Sequence, residues 1–275
     1  MELKATRYEL DEHGVATVWL HRPRRHNAWT GRMHAEYRHI FATLAADRAV
    51  RAVVVTGTPP AFSVGGDSDA LAGHTERGAY DSGLPAAVAN PGYGVRPEFD
   101  NDFAWQFGLP FPVIAAVNGA CAGVALALAC FCDLRFGAVG AKLTTAAPRI
   151  GLPAEYGLSW ILPRLVGVTH AADLLLSGRA VAAEDAPPGL FNSIHPADDV
   201  VADALDYAHT LAATTAPNAV ATTKRQLYAD LVHHDVGGSI ETSKRLIDEH
   251  VRSAEYAEGV AALRAKRAPR FDARD

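Results

Sequence analysis

The chain contains 275 residues, of which 49% are hydrophobic and 21% charged, and it carries a formal net charge of -5. This composition is typical of a globular protein of one large domain or slightly more, and it excludes a disulfide-dependent miniprotein, a collagen-like chain and a disordered tail. The acidic excess also argues against the broad basic surface that binding of nucleic-acid phosphates requires.

The first part of the chain alternates between patterns typical of strands and of a helix. Apolar, largely β-branched residues fill the segments 15–20 and 50–56, and turn or helix signals bound each segment. Between them, Thr30 is a candidate N-cap of a helix whose apolar positions recur at helical spacing: Met33, Tyr37, Ile40 and Leu44. A helix between two strands predicts an α/β fold with crossover connections.

A stretch rich in glycine and proline follows, from residue 68 to residue 110. It predicts a long loop with little regular structure, and a loop of this length is usually functional or mobile. The next segment, residues 113–132, is apolar except for Asn118. Because alanine supplies much of its hydrophobicity and Asn118 with Gly119 marks a turn, we expect a buried strand, a turn and a helix beginning near Gly123, rather than a membrane span.

The cysteine and histidine patterns predict no metal site. The cysteines at 121, 130 and 132 lie in the apolar stretch without C-x-x-C spacing, so they predict buried thiols. Neither His34 with His39 nor the adjacent histidines at 233 and 234 have the i, i+4 spacing of a helical zinc site. The first residues lack the apolar core of a signal peptide, which predicts a cytoplasmic location.

The last part of the chain is almost purely helical in pattern. Three segments carry helical periodicity: 199–213, 217–233 and 239–266. Pro217 suits a helix start, and Gly237 with Gly238 predicts a break. We therefore predict an α/β core over residues 1–198 and a helical region over residues 199–275.

Two glycine-containing segments could present backbone N–H groups to a ligand. Gly65 and Gly66 follow a predicted strand, and paired glycines permit torsions that turn amides into a cleft, although they are also compatible with a plain turn. The helix that begins near Gly123 has first N–H groups without an intrahelical partner, at the positive end of the helix dipole. Such a helix start stabilises an oxyanion, but its small residues also suit a tightly packed core helix.

Six short motifs stand in a fixed order along the chain. They are R-P-R-R-H-N-A at 22–28, T-G at 56–57 with A-F-S-V-G-G-D at 61–67, V-N-G at 117–119, G-L-P-A-E-Y-G-L-S-W-I-L-P-R-L-V-G at 151–167, S-A-E-Y-A-E-G-V at 253–260 and K-R-A-P-R-F at 266–271. Each motif alone is weak. Together they resemble the enoyl-CoA hydratase/isomerase (crotonase) superfamily over nearly the whole chain.

The resemblance implies a ClpP/crotonase-type core of ββα units, followed by C-terminal helices that assemble a homotrimer or a dimer of trimers. It implies an acyl-CoA thioester as substrate and no separate cofactor, since CoA is part of the substrate. The thioester oxygen would accept hydrogen bonds from the amides of Gly66 and Val124, which would stabilise an enolate. Relatives usually carry glycine where Val124 stands, but a backbone donor does not depend on its side chain.

The acidic residues depart from the pattern of the family's hydratases. The two glutamates with which those enzymes activate water align with Ala127 and Ala147, which argues against conventional hydration. Glu155 falls where dienoyl-CoA isomerases of the superfamily carry a catalytic aspartate. The resemblance therefore implies that Glu155 shuttles a proton during double-bond isomerisation. A loop glutamate is otherwise usually a solvated surface acid.

The resemblance also implies a set of CoA contacts. They are Arg24, Arg25, Ala28, Val64, Gly66, Lys266 and Phe271. Arg24 and Arg25 would meet the nucleotide phosphates, although a basic turn is also compatible with simple solvation. Asp67 and Asp69 either reach the cleft or cap the next helix.

Three other hypotheses about function stay open. The chain could be a catalytically impaired acyl-CoA-binding protein, an enoyl-CoA hydratase that uses a non-standard acid, or a hydrolase of a diketone that carries no CoA. The fold alone does not separate them. Binding of acyl-CoA without turnover would favour the first, and absence of any CoA binding would favour the last.

Overall fold

The computed structural model describes residues 1–69, 99–232 and 235–274, which form two sheets and a set of helices. With strands numbered in chain order, the larger sheet has the order β1 (Thr6–Leu10), β2 (Val15–Leu20), β3 (Ala52–Gly57), β4 (Val113–Val117), β6 (Leu134–Ala138) and β9 (Ser193–His195). Strands β1 and β2 are antiparallel, and the other neighbours are parallel. The smaller sheet has the order β5 (Cys121–Ala122), β7 (Lys142–Thr144) and β8 (Val181–Ala182).

Strand β3 is buried on both faces of the larger sheet. Successive side chains of a strand point to opposite faces. Val53 and Val55 accordingly belong to one hydrophobic cluster, and Val54 belongs to a second cluster on the other face together with Ile114 of β4. A continuous apolar run is therefore needed here, as is usual for parallel strands covered on both faces.

Seven α-helices accompany the sheets in the described ranges. They are α1 (Gly31–Ala46), α2 (Val124–Cys130), α3 (Leu158–Ser177), α4 (Val200–Thr214), α5 (Pro217–Asp230), α6 (Val236–His250) and α7 (Ala254–Ala265). Helices α1, α2 and α3 contribute to the first hydrophobic cluster, and α4 covers the opposite face through Val200, Ala204 and Ala208. The predicted boundary at residue 198 stays a prediction, and the first helix after it packs directly on the sheet.

The α/β fold class predicted from the sequence is confirmed. Strands occupy 15–20 and 113–117 as expected. Helix α1 begins after Thr30, whose hydroxyl accepts a hydrogen bond from the Met33 N–H at 3.2 Å. Helix α2 begins directly after Gly123. These elements follow from local rules of periodicity and capping.

The C-terminal helices differ from the prediction at two points. Gly237 and Gly238 lie in the first turn of α6 and do not form a break, because the Asp235 carboxylate accepts a hydrogen bond from the Gly238 N–H at 3.1 Å and caps the helix. The Ser253 hydroxyl caps α7 in the same way and divides the predicted helix 239–266. Side-chain caps therefore decide the helix boundaries in this region.

The apolar stretch 113–132 forms β4, β5 and α2, and none of the described helices is long and apolar enough to cross a membrane. Its three cysteines are buried and unpaired, as predicted, and burial raises the pKa of Cys130 to about 12. Most of the predicted loop, residues 70–98, lies outside the described residues. The part that follows contains a 3-10 helix, Asp102–Gly108, which adds buried aromatic side chains to the core.

Candidate active site

The loop after β3 carries the first candidate amide donor, Gly66, and backbone hydrogen bonds fix it on two sides. The Trp29 N–H donates to the Gly65 carbonyl at 2.7 Å, and the Asp67 N–H donates to the Trp29 carbonyl at 2.9 Å. Trp29 thus pairs with the residues before and after Gly66 and leaves the Gly66 N–H unused. Gly66 itself is exposed.

The same loop is joined to the segment that precedes α2. The Ser63 N–H donates to the Ala120 carbonyl and the Ala122 N–H donates to the Ser63 carbonyl, both at 3.0 Å. The approach is close at Gly65, whose φ is +90° and where a Cβ atom would lie 2.9 Å from the Ala122 oxygen. Glycine is required at this position both for its torsion and for this approach. Ser63 is therefore part of a buried backbone ladder and has a structural role here.

The second candidate donor is the first amide of α2. Gly123 precedes the helix with φ +51°, and its own N–H donates to the Thr144 carbonyl at 3.0 Å. Val124 is the first helical residue, so its N–H has no intrahelical acceptor. Within the described ranges no acceptor faces the N–H of Val124 or of Gly66. Gly66 is exposed, whereas Val124 is 3% exposed, so an oxygen that reaches both amides would have to enter beside the buried start of α2.

Glu155 lies beside the start of α2. A Cβ atom built on Gly123 would be 3.2 Å from Glu155 Oε2, so the carboxylate sits directly against the residue that precedes the Val124 amide. Glu155 is half-buried in the loop before α3, and its carbonyl accepts a hydrogen bond from the Leu158 N–H at 2.9 Å. The structure therefore brings together Glu155 and Val124, two predicted site residues that are 31 positions apart in the sequence.

Ala127 and Ala147 both lie in the core. Ala127 is the fourth residue of α2, and Ala147 begins a 3-10 helix, Ala147–Ile150. Their exposed fractions are 0% and 1%. A methyl group at either position transfers no proton, so neither residue supplies an acid or a base.

An aromatic cavity of 290 Å³ adjoins Tyr156, the residue after Glu155. Its aromatic lining consists of Phe99, Phe103, Phe131, Tyr156 and Trp160. Phe131 follows the last residue of α2, so the cavity lies between the end of that helix and the start of α3. Such a lining suits an apolar group.

The basic loop 22–28 is held by a buried carboxylate. Arg22 Nη1 donates to Asp67 Oδ2 at 2.9 Å, and Arg25 Nη2 contacts Asp67 Oδ1 at 3.2 Å and Asp69 Oδ2 at 3.0 Å. Burial alone would raise the pKa of Asp67, but the hydrogen bonds from Arg22, the Asp69 N–H and Arg25 outweigh it and hold the pKa below its usual value. Arg25 is therefore engaged by two carboxylates. Arg24 is exposed.

The remaining predicted CoA contacts are spread over two regions. Ala28 is buried and Val64 is exposed, and the Val64 N–H donates to the His26 carbonyl at 3.2 Å.

The other two predicted contacts lie near the C-terminus. Exposed Lys266 ends α7, and half-buried Phe271 lies near Gly259. Across the described ranges, no hydrogen bond or ion pair joins either of these two C-terminal residues to the loops of Gly66 and Arg24.

Asn27 belongs to the motif at 22–28 and is a positioning residue that the sequence patterns did not mark as part of the site. Its exposed fraction is 0%. Its Nδ2 donates to the carbonyls of Thr58 and Ala61 at 2.8 and 2.7 Å, and its Oδ1 accepts from the Arg22 N–H at 2.9 Å. Asn27 thereby holds the basic loop against the loop that presents Gly66. The asparagine of the motif R-P-x-x-x-N-A is the sequence signal by which this residue could have been found.

Comparison with known proteins identifies the class. The family model described as enoyl-CoA hydratase/isomerase matches residues 11–274. The chain is 31% identical to 1,2-epoxyphenylacetyl-CoA isomerase of Escherichia coli (strain K12), over 94% of this chain and 95% of that protein. It is 34% identical to a probable enoyl-CoA hydratase of Rhodobacter capsulatus, with 100% of both chains covered.

Solved structures show the same family relationship. A probable enoyl-CoA hydratase/isomerase from Mycobacterium abscessus superposes with a TM-score of 0.83 at 33% identity, covering 98% of this chain and 99% of that one. An enoyl-CoA hydratase from Polaromonas sp. JS666 gives a TM-score of 0.86 at 25% identity, covering 98% and 100%. The chain belongs to the enoyl-CoA hydratase/isomerase family and has the crotonase fold.

Proposed function

We propose that the protein converts an acyl-CoA thioester by way of an enolate whose oxygen accepts hydrogen bonds from the amides of Gly66 and Val124. Support comes from the geometry of the two segments. Backbone ladders join them, and neither amide has an acceptor within the described ranges. Fixed donors of this kind stabilise negative charge as it develops on the thioester oxygen.

We propose Glu155 as the base that takes a proton from one carbon of the acyl chain and returns it to another. The observation that carries this proposal is the position of Glu155 Oε2, 3.2 Å from the site of a Cβ atom on Gly123 and so next to the Val124 amide. Electrons released at the first carbon move toward the thioester oxygen, and reprotonation at the second carbon leaves the double bond shifted. A single carboxylate is sufficient for this sequence.

Isomerisation is favoured over conventional hydration because hydration needs one group to activate water and another to protonate carbon. Alanine stands at both positions where the resemblance expects those glutamates, Ala127 and Ala147, and both are buried. A hydratase that uses Glu155 as a non-standard acid is the alternative enzyme. The two reactions differ in product, since only hydration adds water.

The test is the variant Glu155→Gln, assayed with 3-enoyl-CoA and 2-enoyl-CoA substrates. We expect kcat for isomerisation to fall by about a hundredfold or more, with KM changed little, because the amide cannot accept a proton. In D2O, the wild type should incorporate deuterium into the acyl chain and the variant should not. The matched control is Glu12→Gln, at an exposed turn outside the site. Unchanged turnover in Glu155→Gln would show that the assigned role is wrong.

The second candidate function is acyl-CoA binding without chemistry, which the two alanines favour. Calorimetry with a series of acyl-CoAs separates it from the first: binding with no turnover on any substrate supports it. The proposed CoA contacts, including Arg24, Arg25, Lys266 and Phe271, are common to both functions. Weakened binding in Arg24→Ala would support a phosphate contact there.

We propose a homotrimer or a dimer of trimers as the assembly. Ile240 and Ile247 lie seven residues apart on α6 and are 50% and 59% exposed in the single chain. Residues at this spacing share one helix face, and exposed apolar faces favour association. Light scattering measures the mass, and a monomer at micromolar concentration would contradict this assembly.

A further inference from the structure

A serine, a histidine and an aspartate form a hydrogen-bonded chain at the edge of the larger sheet. Ser193 Oγ lies 2.6 Å from His195 Nε2, and His195 Nδ1 lies 2.6 Å from Asp203 Oδ2. Ser193 and His195 are two residues apart on the edge strand β9, so their side chains share one face of the sheet. Asp203 comes from the first turn of α4.

The hydrogen bonds give each of the three side chains a role. Ser193 is the nucleophile, His195 is the base, and the Asp203 carboxylate orients the base. With its Nδ1–H donated to the Asp203 carboxylate, the ring of His195 keeps the Nε2 lone pair for the Ser193 hydroxyl proton. The ring is also held in place by stacking on Phe136, at a centroid distance of 5.0 Å and an interplanar angle of 12°. These are the relations by which a serine is activated for attack on a carbonyl carbon.

All three side chains line a surface cavity of 590 Å³. Asn192 also lines it, and its Oδ1 accepts a hydrogen bond from the Arg135 N–H at 2.8 Å. This bond identifies Nδ2 as the remaining donor group of Asn192, which has no acceptor in the described part of the chain. Such an amide is suited to bind the oxyanion that forms when a serine attacks an ester.

The rest of the lining defines the chemical class of ligand. Leu134, Phe136 and Tyr207 provide apolar surface, and Asp206 adds a second carboxylate beside Asp203. Two carboxylates disfavour anions, so acyl-CoA phosphates do not suit this cavity. None of Gly66, Val124 and Glu155, which form the proposed enolate site, lines this cavity. The lining therefore favours an uncharged ligand with an apolar part.

We propose that Ser193, His195 and Asp203 form a second, serine-type site that hydrolyses small, uncharged carboxylic esters. Ser193 Oγ bonds to the ester carbonyl carbon while its proton passes to His195 Nε2. The tetrahedral adduct then expels the alcohol, which takes the proton from His195. Water attacks the acyl-serine by the same route, releases the carboxylic acid and restores the hydroxyl, so the net reaction is ester plus water to acid plus alcohol.

Two measurements on the full-length chain test the site. Incubation with a fluorophosphonate probe, followed by peptide mass spectrometry, should show the adduct on Ser193. Hydrolysis of p-nitrophenyl acetate should fall by about a hundredfold in Ser193→Ala and by at least about tenfold in Asp203→Asn. Thr214→Ala is the matched control, because Thr214 is an exposed hydroxyl residue on the same helix that neither lines the cavity nor belongs to the hydrogen-bonded chain.

Independence from the enolate site is tested with the same assays. Glu155→Gln should keep ester hydrolysis and probe labelling, and Ser193→Ala should keep acyl-CoA turnover, so failure of one site does not imply failure of the other. Circular dichroism and melting of each variant check its fold. Absence of the probe from Ser193, or ester hydrolysis that survives Ser193→Ala in a folded protein, would overturn the proposal. The three residues would then only link β9 to α4 structurally.

Discussion

The two proposed amide donors are held in position in different ways. Gly66 lies in a loop that is held by buried side chains. Asn27 donates a hydrogen bond to the Ala61 carbonyl of this loop, and Asp67 of the loop pairs with Arg22 of the basic loop. Backbone hydrogen bonds hold the segment of Val124: the Gly123 N–H donates to the Thr144 carbonyl, and Val124 is the first residue of α2. We therefore expect changes to distant side chains to disturb the Gly66 amide more than the Val124 amide.

The largest effect is expected for Gly65→Ala. The new methyl group would stand 2.9 Å from the Ala122 oxygen at a φ of +90°, so it would push the two donor segments apart. We expect turnover to fall by about a hundredfold and the free energy of unfolding to drop by about 3 kcal/mol, measured by urea denaturation.

Gly140→Ala is the matched control for that substitution. Gly140 has a φ of +80°, but nothing lies within 4 Å of its new Cβ atom. The torsional strain alone should cost about 1 kcal/mol and leave turnover unchanged. Equal losses in the two variants would show that the approach of the donor segments is unimportant.

A smaller effect is expected for Asp67→Asn, which removes the charge that holds Arg22 and Arg25. Asp67 is 3% exposed, and we expect a loss of about 2 kcal/mol in unfolding free energy at pH 7, with turnover lowered about tenfold. Asp69→Asn is the control, because its carboxylate is exposed and shares only Arg25; it should cost less than about 0.5 kcal/mol.

The loss in Asp67→Asn should depend on pH in a defined direction. The folded-state pKa of Asp67 lies below the ordinary value of 3.8, so its ionised form contributes stability above that value. This contribution is lost as the pH falls through the folded-state pKa. The difference between wild type and variant should be constant between about pH 7 and 5 and shrink below about pH 4. A difference that grows on acidification would contradict the assigned ion pairs.

Among the substitutions in the two donor segments, the smallest effect on turnover is expected for Val124→Ala. The backbone donor stays in place, so kcat should change by less than about threefold. The missing methyl groups should instead alter the relative KM values of short and long acyl-CoAs, measured in a substrate series. A drop in kcat comparable to that of Gly65→Ala would mean that the side chain, and not the helix start, positions this amide.

Much of the fold could be predicted because its signals are local. The continuous apolar run of β3 requires cover on both faces, Thr30 caps α1, and Gly123 begins α2. The helix boundaries around Gly237 could not be predicted from glycine alone, since the Asp235 cap outweighs the low helix propensity of glycine there.

The candidate site was predicted only in part. Paired glycines and a helix start marked the two donors, whereas the role of Glu155 came from family resemblance, because a loop glutamate carries no local signal of its surroundings. For Asp67 the sequence left open a cleft residue or a helix cap, and the structure pairs it with Arg22 and Arg25 from the loop before α1.

By itself, the sequence determined the class of fold, the buried strands, the starts of α1 and α2 and the glycines that shape both donor segments. Periodicity, capping and positive φ angles act over a few residues, so they can be recognised without the rest of the chain. Only the tertiary structure decided which distant groups meet: Asn27 with Ala61, Glu155 with Gly123, and Ser193 and His195 with Asp203. These contacts depend on how helices and loops pack on the sheet, and no short sequence pattern specifies that.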